Sequence, residues 1–246
     1  MTVSGLGWLW NPRTHASGNV AAGLGIKTPT GKHDVTDDWY IQGGSIRHTV
    51  DQSIQLGDGG WGVLLQAQAW RQIAGSTSAY GFASYLMSPR NMTDVVQAPA
   101  GTFSQVHVSV PDVFQTRAGI GFPLSSRLGL AATVGGRFEG IPMADLIGGS
   151  DGFRRPTLIG YADLGLTMSR GRTSFSLNVP IRVFADFRAS DLDRQMGTPG
   201  GGDLADYLLL AGYTFRLGGS PARGPRTAVS SSDPPEHREC AATALR

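Results

Sequence analysis

Apolar and polar residues alternate strictly over long stretches of this chain, and this alternation constrains the fold more than any other feature. Between residues 173 and 183, the odd positions from Phe175 to Ile181 are apolar, whereas the even positions are Ser, Asn, Pro or Arg. Residues 128–138 repeat the pattern. A period of two residues is that of a β-strand with one apolar and one polar face. The sequence therefore predicts an all-β protein.

Composition excludes a helical membrane protein and argues against a nucleic-acid-binding protein. The chain has 246 residues, of which 40% are hydrophobic, and no run of about 18 apolar residues long enough for a membrane-spanning helix. Its net charge is only +2, and no basic stripe with interleaved aromatic residues is present, so we expect no nucleic-acid partner. Glycine is abundant, at 35 residues, and charged residues make up only 16%. The chain is thus rich in glycine, has few charged residues and carries the alternating pattern of β-strands.

Nine segments carry the strand pattern: residues 3–10, 19–27, 62–72, 78–87, 113–122, 128–139, 157–169, 173–186 and 205–217. Short links at 11–18, 73–77, 123–127 and 170–172 alternate with long links at 28–61, 88–112, 140–156 and 187–204. Bacterial outer-membrane barrels have tight turns at one rim and long loops at the other. The spacing therefore predicts an antiparallel up-and-down transmembrane β-barrel.

The composition of the polar face indicates whether it borders open solvent or an enclosed lumen. It consists mostly of Gly, Ala, Ser, Asn and Gln with few charges, which suits a confined aqueous lumen better than open solvent. The alternatives for this interior are an open pore and a lumen plugged by paired charges. The charged and amide residues of the polar face are the candidates for lining the lumen: Gln66, Gln68, Gln115, Arg117, Arg137, Glu139, Asp163, Asn178 and Arg182.

The two ends of the chain differ from those of a complete barrel protein. If the long links are extracellular, the first strand runs toward the periplasm, so we expect an odd number of strands to precede it. Residues 1–5 show neither the basic nor the apolar region of a signal peptide. We therefore expect residues 1–217 to form an outer-membrane barrel that is incomplete at its N-terminal end. Residues 218–246, rich in Pro, Ser, Ala and Arg, are expected to be a disordered tail.

Two short stretches resemble a known family. Residues 19–32 read NVAAGLGIKTPTGK, and residues 55–62 read QLGDGGWG. This pattern resembles the outer-membrane transporters named for the MetA pathway of phenol degradation, and the similarity covers most of residues 1–217. The resemblance implies an outer-membrane barrel of Gram-negative bacteria that takes up aromatic or other hydrophobic compounds. It implies no catalytic residues and no cofactor.

Motifs for catalysis and metal binding are weak. The stretch from Gly25 to Lys32 approaches a phosphate-binding loop, but its glycines are too far apart and His33 stands where Ser or Thr should be. The five histidines are not spaced as zinc ligands, and the one cysteine, Cys240, lies in the tail. We expect neither an enzyme nor a resident metal.

Two loop clusters allow weaker hypotheses. Acidic residues of the longest link could gather a calcium ion, with solvated loop acids as the alternative: Asp34, Asp37, Asp38 and Asp51. Arg154 and Arg155 follow a glycine-rich turn, and we expect a surface turn here. The alternative is a basic pair that folds into the barrel mouth or meets lipopolysaccharide phosphates.

The predicted function is passive uptake of small solutes through the outer membrane, with membrane lipid and the solute as partners. A soluble lipocalin-like or sandwich binding protein is the first alternative. An outer-membrane barrel enzyme acting on lipid is the second, for which His107 and Ser109 offer a base and a nucleophile without an evident acid.

Overall fold

The structure, a computed structural model, describes residues 1–97, 105–202 and 204–217. The predicted tail, 218–246, lies outside the described residues. The described chain contains these elements, in order: β1 (Thr2–Trp8), β2 (Gly18–Lys27), β3 (Thr36–Ile41), β4 (Gly44–Thr49), a 3-10 turn (Gln52–Ile54), β5 (Gly62–Ala74), β6 (Thr77–Met87), β7 (Met92–Gln97), β8 (Val106–Ser109), β9 (Val113–Ser125), β10 (Leu130–Ile141), β11 (Thr157–Arg170), β12 (Thr173–Phe187), α1 (Asp191–Met196) and β13 (Leu210–Phe215).

One sheet dominates the structure. Nine strands form it in the order β1-β2-β5-β6-β9-β10-β11-β12-β13, and every neighbouring pair is antiparallel. The sheet curls into a half-barrel. Within the described residues β1 pairs only with β2, and β13 pairs only with β12, so these two strands are its edges. The prediction of an all-β fold with sequential antiparallel strands is confirmed.

The long links carry secondary structure of their own. The first holds the β3–β4 hairpin, the second holds the β7–β8 hairpin, and the last holds α1. Because long and short links alternate along an antiparallel meander, all the long links lie at one end of the sheet. No helix in the described part of the chain is long and apolar enough to cross a membrane.

Two of the short turns at the opposite end depend on glycine. Gly75 and Gly171 are each the first residue of a two-residue turn, and their φ angles are positive, 52° and 61° respectively. Tight hairpin turns need this left-handed backbone so that the turn follows the twist of the strands. The paired residues that flank the turns are Ala74 with Thr77, and Arg170 with Thr173.

Apolar side chains occupy the outer face of the curled sheet. In the central parts of β9 to β12 the exposed positions are mostly apolar, and the positions between them are half-buried or buried. Ile120, Val134 and Leu164 lie side by side on neighbouring strands and are 46%, 50% and 43% exposed. The polar residues between them point to the inner face and are half-buried or buried. This distribution is the reverse of that in a sheet whose apolar face forms a protein core.

Glycines on the inner face permit the tight curl. Gly119 of β9 and Gly135 of β10 are directly paired. A Cβ at Gly135 would lie 2.2 Å from the carbonyl oxygen of Ala118, so any side chain would force the two strands apart. Glycine in a strand commonly marks such a close backbone approach.

The last strand is shorter than predicted. The pattern predicted residues 205–217, whereas β13 spans Leu210–Phe215. The amide of Leu208 donates to the carbonyl of Pro180 at 3.0 Å, but Pro180 has no N–H to return the bond. The regular ladder is therefore interrupted opposite Pro180. An isolated bridge between Ile181 and Tyr207 continues the pairing beyond the interruption.

Candidate functional site on the polar face of the sheet

The strand register brings all nine candidate lumen residues to the inner, polar face, in four successive cross-strand rows. What we call the amide row consists of Gln66, Ser84, Gln115, Glu139 and Ile159. The arginine row is next and consists of Gln68, Phe82, Arg117, Arg137, Tyr161 and Arg182. The glycine row follows with Trp70, Tyr80, Gly119, Gly135, Asp163 and Pro180. Asn178 lies one row further on, opposite Gly165.

The arginine row places like charges next to each other. Arg117 and Arg137 are directly opposite on β9 and β10, and Tyr161 separates Arg137 from Arg182. Directly opposed like charges destabilise a sheet unless other groups compensate them. For Arg117 and Arg137 the nearby acids lie in the two adjacent rows, whereas Arg182 pairs with Asp206 on the chain that leads into β13.

Arg117 is paired closely with a buried acid. Its Nε lies 2.5 Å from Oδ2 of Asp163, whose side chain is only 1% exposed. The two residues lie on β9 and β11, so the arginine must reach across β10. It does so over Gly135, which has no side chain in the way. The guanidinium also lies over the ring of Tyr80, 5.3 Å from the ring centre, in a cation-π arrangement.

Arg137 is held more loosely. Its Nε is 3.9 Å from Oε2 of Glu139, which is longer than a charge-assisted hydrogen bond of about 2.7–2.9 Å. The carboxamide of Gln115 lies beside it. With the amide oxygen turned toward the guanidinium, Gln115 accepts from Nη2 of Arg137 at 2.7 Å. A neutral amide therefore holds the guanidinium more directly than the nearby carboxylate does.

Arg182 is directed toward the chain that leads into β13. It donates to the carbonyl of Leu204 at 2.8 Å and to the carboxylate of Asp206. The Asp206 side chain is 82% exposed, so solvent competes for this ion pair.

A recess of about 390 Å³ opens on the polar face between β5 and β10. We call it the recess throughout. Its side chains combine aromatic rings, amides and two guanidiniums: Gln68, Trp70, Tyr80, Phe82, Gln115, Arg117 and Arg137.

Three buried polar atoms beside the recess lack hydrogen-bond partners among the described residues. They are Oδ1 of Asp163, the hydroxyl of Tyr80 and Nε of Arg117, whose contact with Asp163 is an ion pair without hydrogen-bond geometry. The hydroxyl lies above Gly119 and Gly135, close to where a Cβ would be at either position. Buried polar groups are normally paired with protein or ordered water, so these atoms have hydrogen-bonding capacity that the described residues leave unused.

A second polar cluster ties the long links together. Arg154 donates two hydrogen bonds, of 2.7 and 2.6 Å, to Asp145, and both side chains are fully buried. Asp112 accepts from the amides of Ser88 and Leu146 at 2.7 and 2.9 Å. The cluster fixes the start of β9 to the links on both sides. Its position at the end of the sheet makes it a structural brace for the loops.

The prediction that Arg154 lies at the surface is wrong, because its residue is only 3% exposed. The pairing with Asp145 and a hydrogen bond of 2.6 Å to Ser109 compensate the cost of burying the charge. Arg155 does lie at the surface and forms an ion pair of 3.2 Å with Asp51.

The loop acids proposed for calcium are spread along the β3–β4 hairpin and the segment before it. Asp37 lies opposite His48, and Asp38 lies opposite Arg47, with 3.5 Å between the charged groups. Asp34 precedes the hairpin. Within the described ranges, no three His, Cys, Asp or Glu residues are grouped so that they could hold a metal ion.

His107 and Ser109 each have structural partners. The Nδ1 of His107 is 3.0 Å from the carbonyl of Thr93, and the hydroxyl of Ser109 donates to the carbonyl of Asn91 at 3.1 Å. The first contact joins β8 to β7, and the second joins β8 to Asn91, the residue before β7.

Comparison with known proteins found no matching protein-family model and no matching curated protein. The case for function therefore depends on the geometry of the sheet.

Proposed function

We propose that this chain forms the wall of an outer-membrane β-barrel through which small solutes pass passively. The observation that carries the proposal is the exposed apolar face of the sheet. Ile120, Val134 and Leu164 form part of a continuous apolar surface on its outer side. Monomeric soluble proteins rarely expose apolar patches beyond a few hundred Å², whereas a barrel wall meets lipid with such a face.

The inner face supports the same proposal. Charged and amide side chains line it in successive rows, and Arg117 with Asp163 shows that its charges are partly paired. A polar interior with sparse, partly paired charges is suited to hydrated solutes. The recess is accessible from this face, so a solute in the lumen would meet it.

The two ends of the sheet also fit a barrel in an outer membrane. Short links, two of them two-residue turns, join the strands at one end, and long links lie at the other, where Arg154 and Asp145 are paired. Outer-membrane barrels have this asymmetry between periplasmic turns and extracellular loops.

A pair of arginine substitutions on β5 tests which face meets lipid. Ala67 lies on the outer face and Gln66, its neighbour, lies on the inner face. The full chain is unfolded in urea and refolded into phosphatidylcholine vesicles. We expect Ala67→Arg to lower the stability of the inserted protein by about 2–4 kcal/mol, because the cation enters hydrocarbon. Gln66→Arg should insert as the unsubstituted chain does.

Vesicle flotation and heat-modifiable migration in detergent gels report insertion. A chain that stays in the aqueous fraction, folds there, and tolerates both substitutions equally would contradict the proposal. That outcome would favour a soluble binding protein.

A further inference from the structure

We propose that the recess binds a small carboxylate attached to a flat apolar body, and that Arg137 is the residue that holds the carboxylate. The inference names a solute class for the proposed channel and rests on that function. The proposed binding takes place in the recess alone, so it can be tested separately from transport.

The charges of the recess favour an anion. Arg117 and Arg137 both line it, and its described lining includes no carboxylate. The acids that balance these arginines lie outside the lining, with Asp163 almost fully buried. A cationic solute would therefore be repelled by two guanidiniums, whereas an anion would be attracted by both.

The two arginines are unequal, and this difference points to Arg137. Arg117 is 2.5 Å from Asp163 and stacks on Tyr80, so its guanidinium is already engaged. Arg137 is 3.9 Å from Glu139 and is held mainly by the neutral Gln115. A guanidinium has five N–H donors in a planar fork that matches a carboxylate. Arg137 thus retains donors for an incoming anion.

Aromatic side chains form the adjoining wall and select the rest of the ligand. Trp70 and Tyr80 are directly paired on β5 and β6, and Phe82 lies in the next row beside Arg117. Rings of this kind bury flat apolar groups and prefer offset or edge-to-face stacking. The recess therefore places an apolar surface next to a charged one.

The size of the recess limits the ligand to a small one. Its volume of about 390 Å³ is near the lower end of the range of about 300–1,000 Å³ for small-molecule sites. A single-ring carboxylate is the simplest molecule that offers both a flat apolar body and one negative charge. Benzoate is accordingly the probe.

Binding is measured on the full chain folded in detergent by the change in tryptophan fluorescence on titration. Trp70 lines the recess, and subtracting the signal of Trp70→Phe isolates its contribution. Benzamide has the ring without the charge, and acetate has the charge without the ring. We expect saturable binding of benzoate, with benzamide and acetate each at least about tenfold weaker.

Arg137→Gln should weaken benzoate binding by about tenfold or more, because it removes the charged fork and keeps a polar side chain. Arg127→Gln is the matched control, since Arg127 lies exposed in the turn of the same β9–β10 hairpin. Circular dichroism verifies that both variants are folded. Equal binding of benzoate and benzamide, or unchanged affinity in Arg137→Gln, would overturn the inference.

Failure of the channel itself has a different signature. Swelling of vesicles in a neutral sugar reports passage without any need for the anion site. If the sugar does not enter, the proposed function fails, and the fluorescence titration still decides whether the recess binds benzoate. If the sugar enters and benzoate does not bind, only the present inference fails.

Discussion

Arg117 and Arg137 lie directly opposite each other on β9 and β10, yet only Arg117 makes a close contact with an acid. Gly135, in the adjacent glycine row, leaves space for Arg117 to cross β10 and reach Asp163. Arg137 lies 3.9 Å from Glu139 and has Gln115 as its main partner. Two opposed arginines thus differ in how closely an acid holds them.

Substitution of Gly135 by alanine should destabilise the sheet. A Cβ there would lie 2.2 Å from the carbonyl oxygen of Ala118 and 2.9 Å from the hydroxyl of Tyr80. We expect a loss of about 1–3 kcal/mol in the free energy of unfolding, measured by urea titration in vesicles. Gly136→Ala is the control, because its Cβ would come no closer than 3.9 Å to any described heavy atom. Equal stabilities of the two variants would argue against the close approach of β9 and β10.

Removal of Asp163 should cost far more than removal of Asp206. Asp163→Asn leaves Arg117 without its ion-pair partner in a nearly buried site, so we expect a loss of about 3–5 kcal/mol in folding stability. Asp206→Asn breaks a pair whose acid is 82% exposed, and we expect a change within about 1 kcal/mol. Urea titration of both variants is the measurement. Similar losses in the two would contradict the assigned burial.

Two arginines of the arginine row should influence ion selectivity. Arg137→Ala and Arg182→Ala each remove a positive charge from the inner face, so we expect the reversal potential in planar bilayers under a KCl gradient to shift toward cation selectivity. Arg127→Ala, in the exposed turn, should leave it unchanged. An unaltered reversal potential in both inner-face variants would reject their position in a lumen.

The contact between His33 and Asp94 should respond to acid. Hydrogen bonds from its own backbone amide and from His33 hold the pKa of Asp94 below its usual value of 3.8. A lowered folded-state pKa means that these hydrogen bonds together stabilise the folded state above the unfolded pKa, and that this stabilisation is lost as pH falls through the folded value. NMR titration of the Asp94 carboxyl carbon measures this pKa. His33→Ala should raise it toward 3.8, and a value unaffected by that change would contradict the contact.

The sheet was predictable because its signal is local. The alternation around Leu177 fixes both the strand and the side that each residue faces, and the glycine-containing turns mark its ends. Trp70 is two residues from Gln68 on the same strand, so the alternation predicts that both face the same side of the sheet. One wall of the recess could therefore be predicted from the sequence. Its partners Tyr80 and Phe82 required the register between strands, which alternation alone does not give.

The structure of the long links was harder to predict, because it depends on contacts between residues that are far apart in the sequence. The burial of Arg154 is made possible by its ion pair with Asp145 and its hydrogen bond to Ser109. The residues next to Arg154 in the sequence carry no pattern that predicts these contacts. Helix α1 is an exception. Ser190 and Asp193 form a capping box that is visible in the sequence as Ser followed three residues later by an acid. A search for that motif would have identified the helix.

Pro180 divides the attachment of the final strand into two pieces. The regular ladder runs from Thr173 to Asn178. Beyond it, two backbone hydrogen bonds attach residues 206–208, from Leu208 to the carbonyl of Pro180 and from Arg182 to the carbonyl of Asp206. Because this second attachment is the smaller one, we expect β13 to separate from β12 first at the end near the long links.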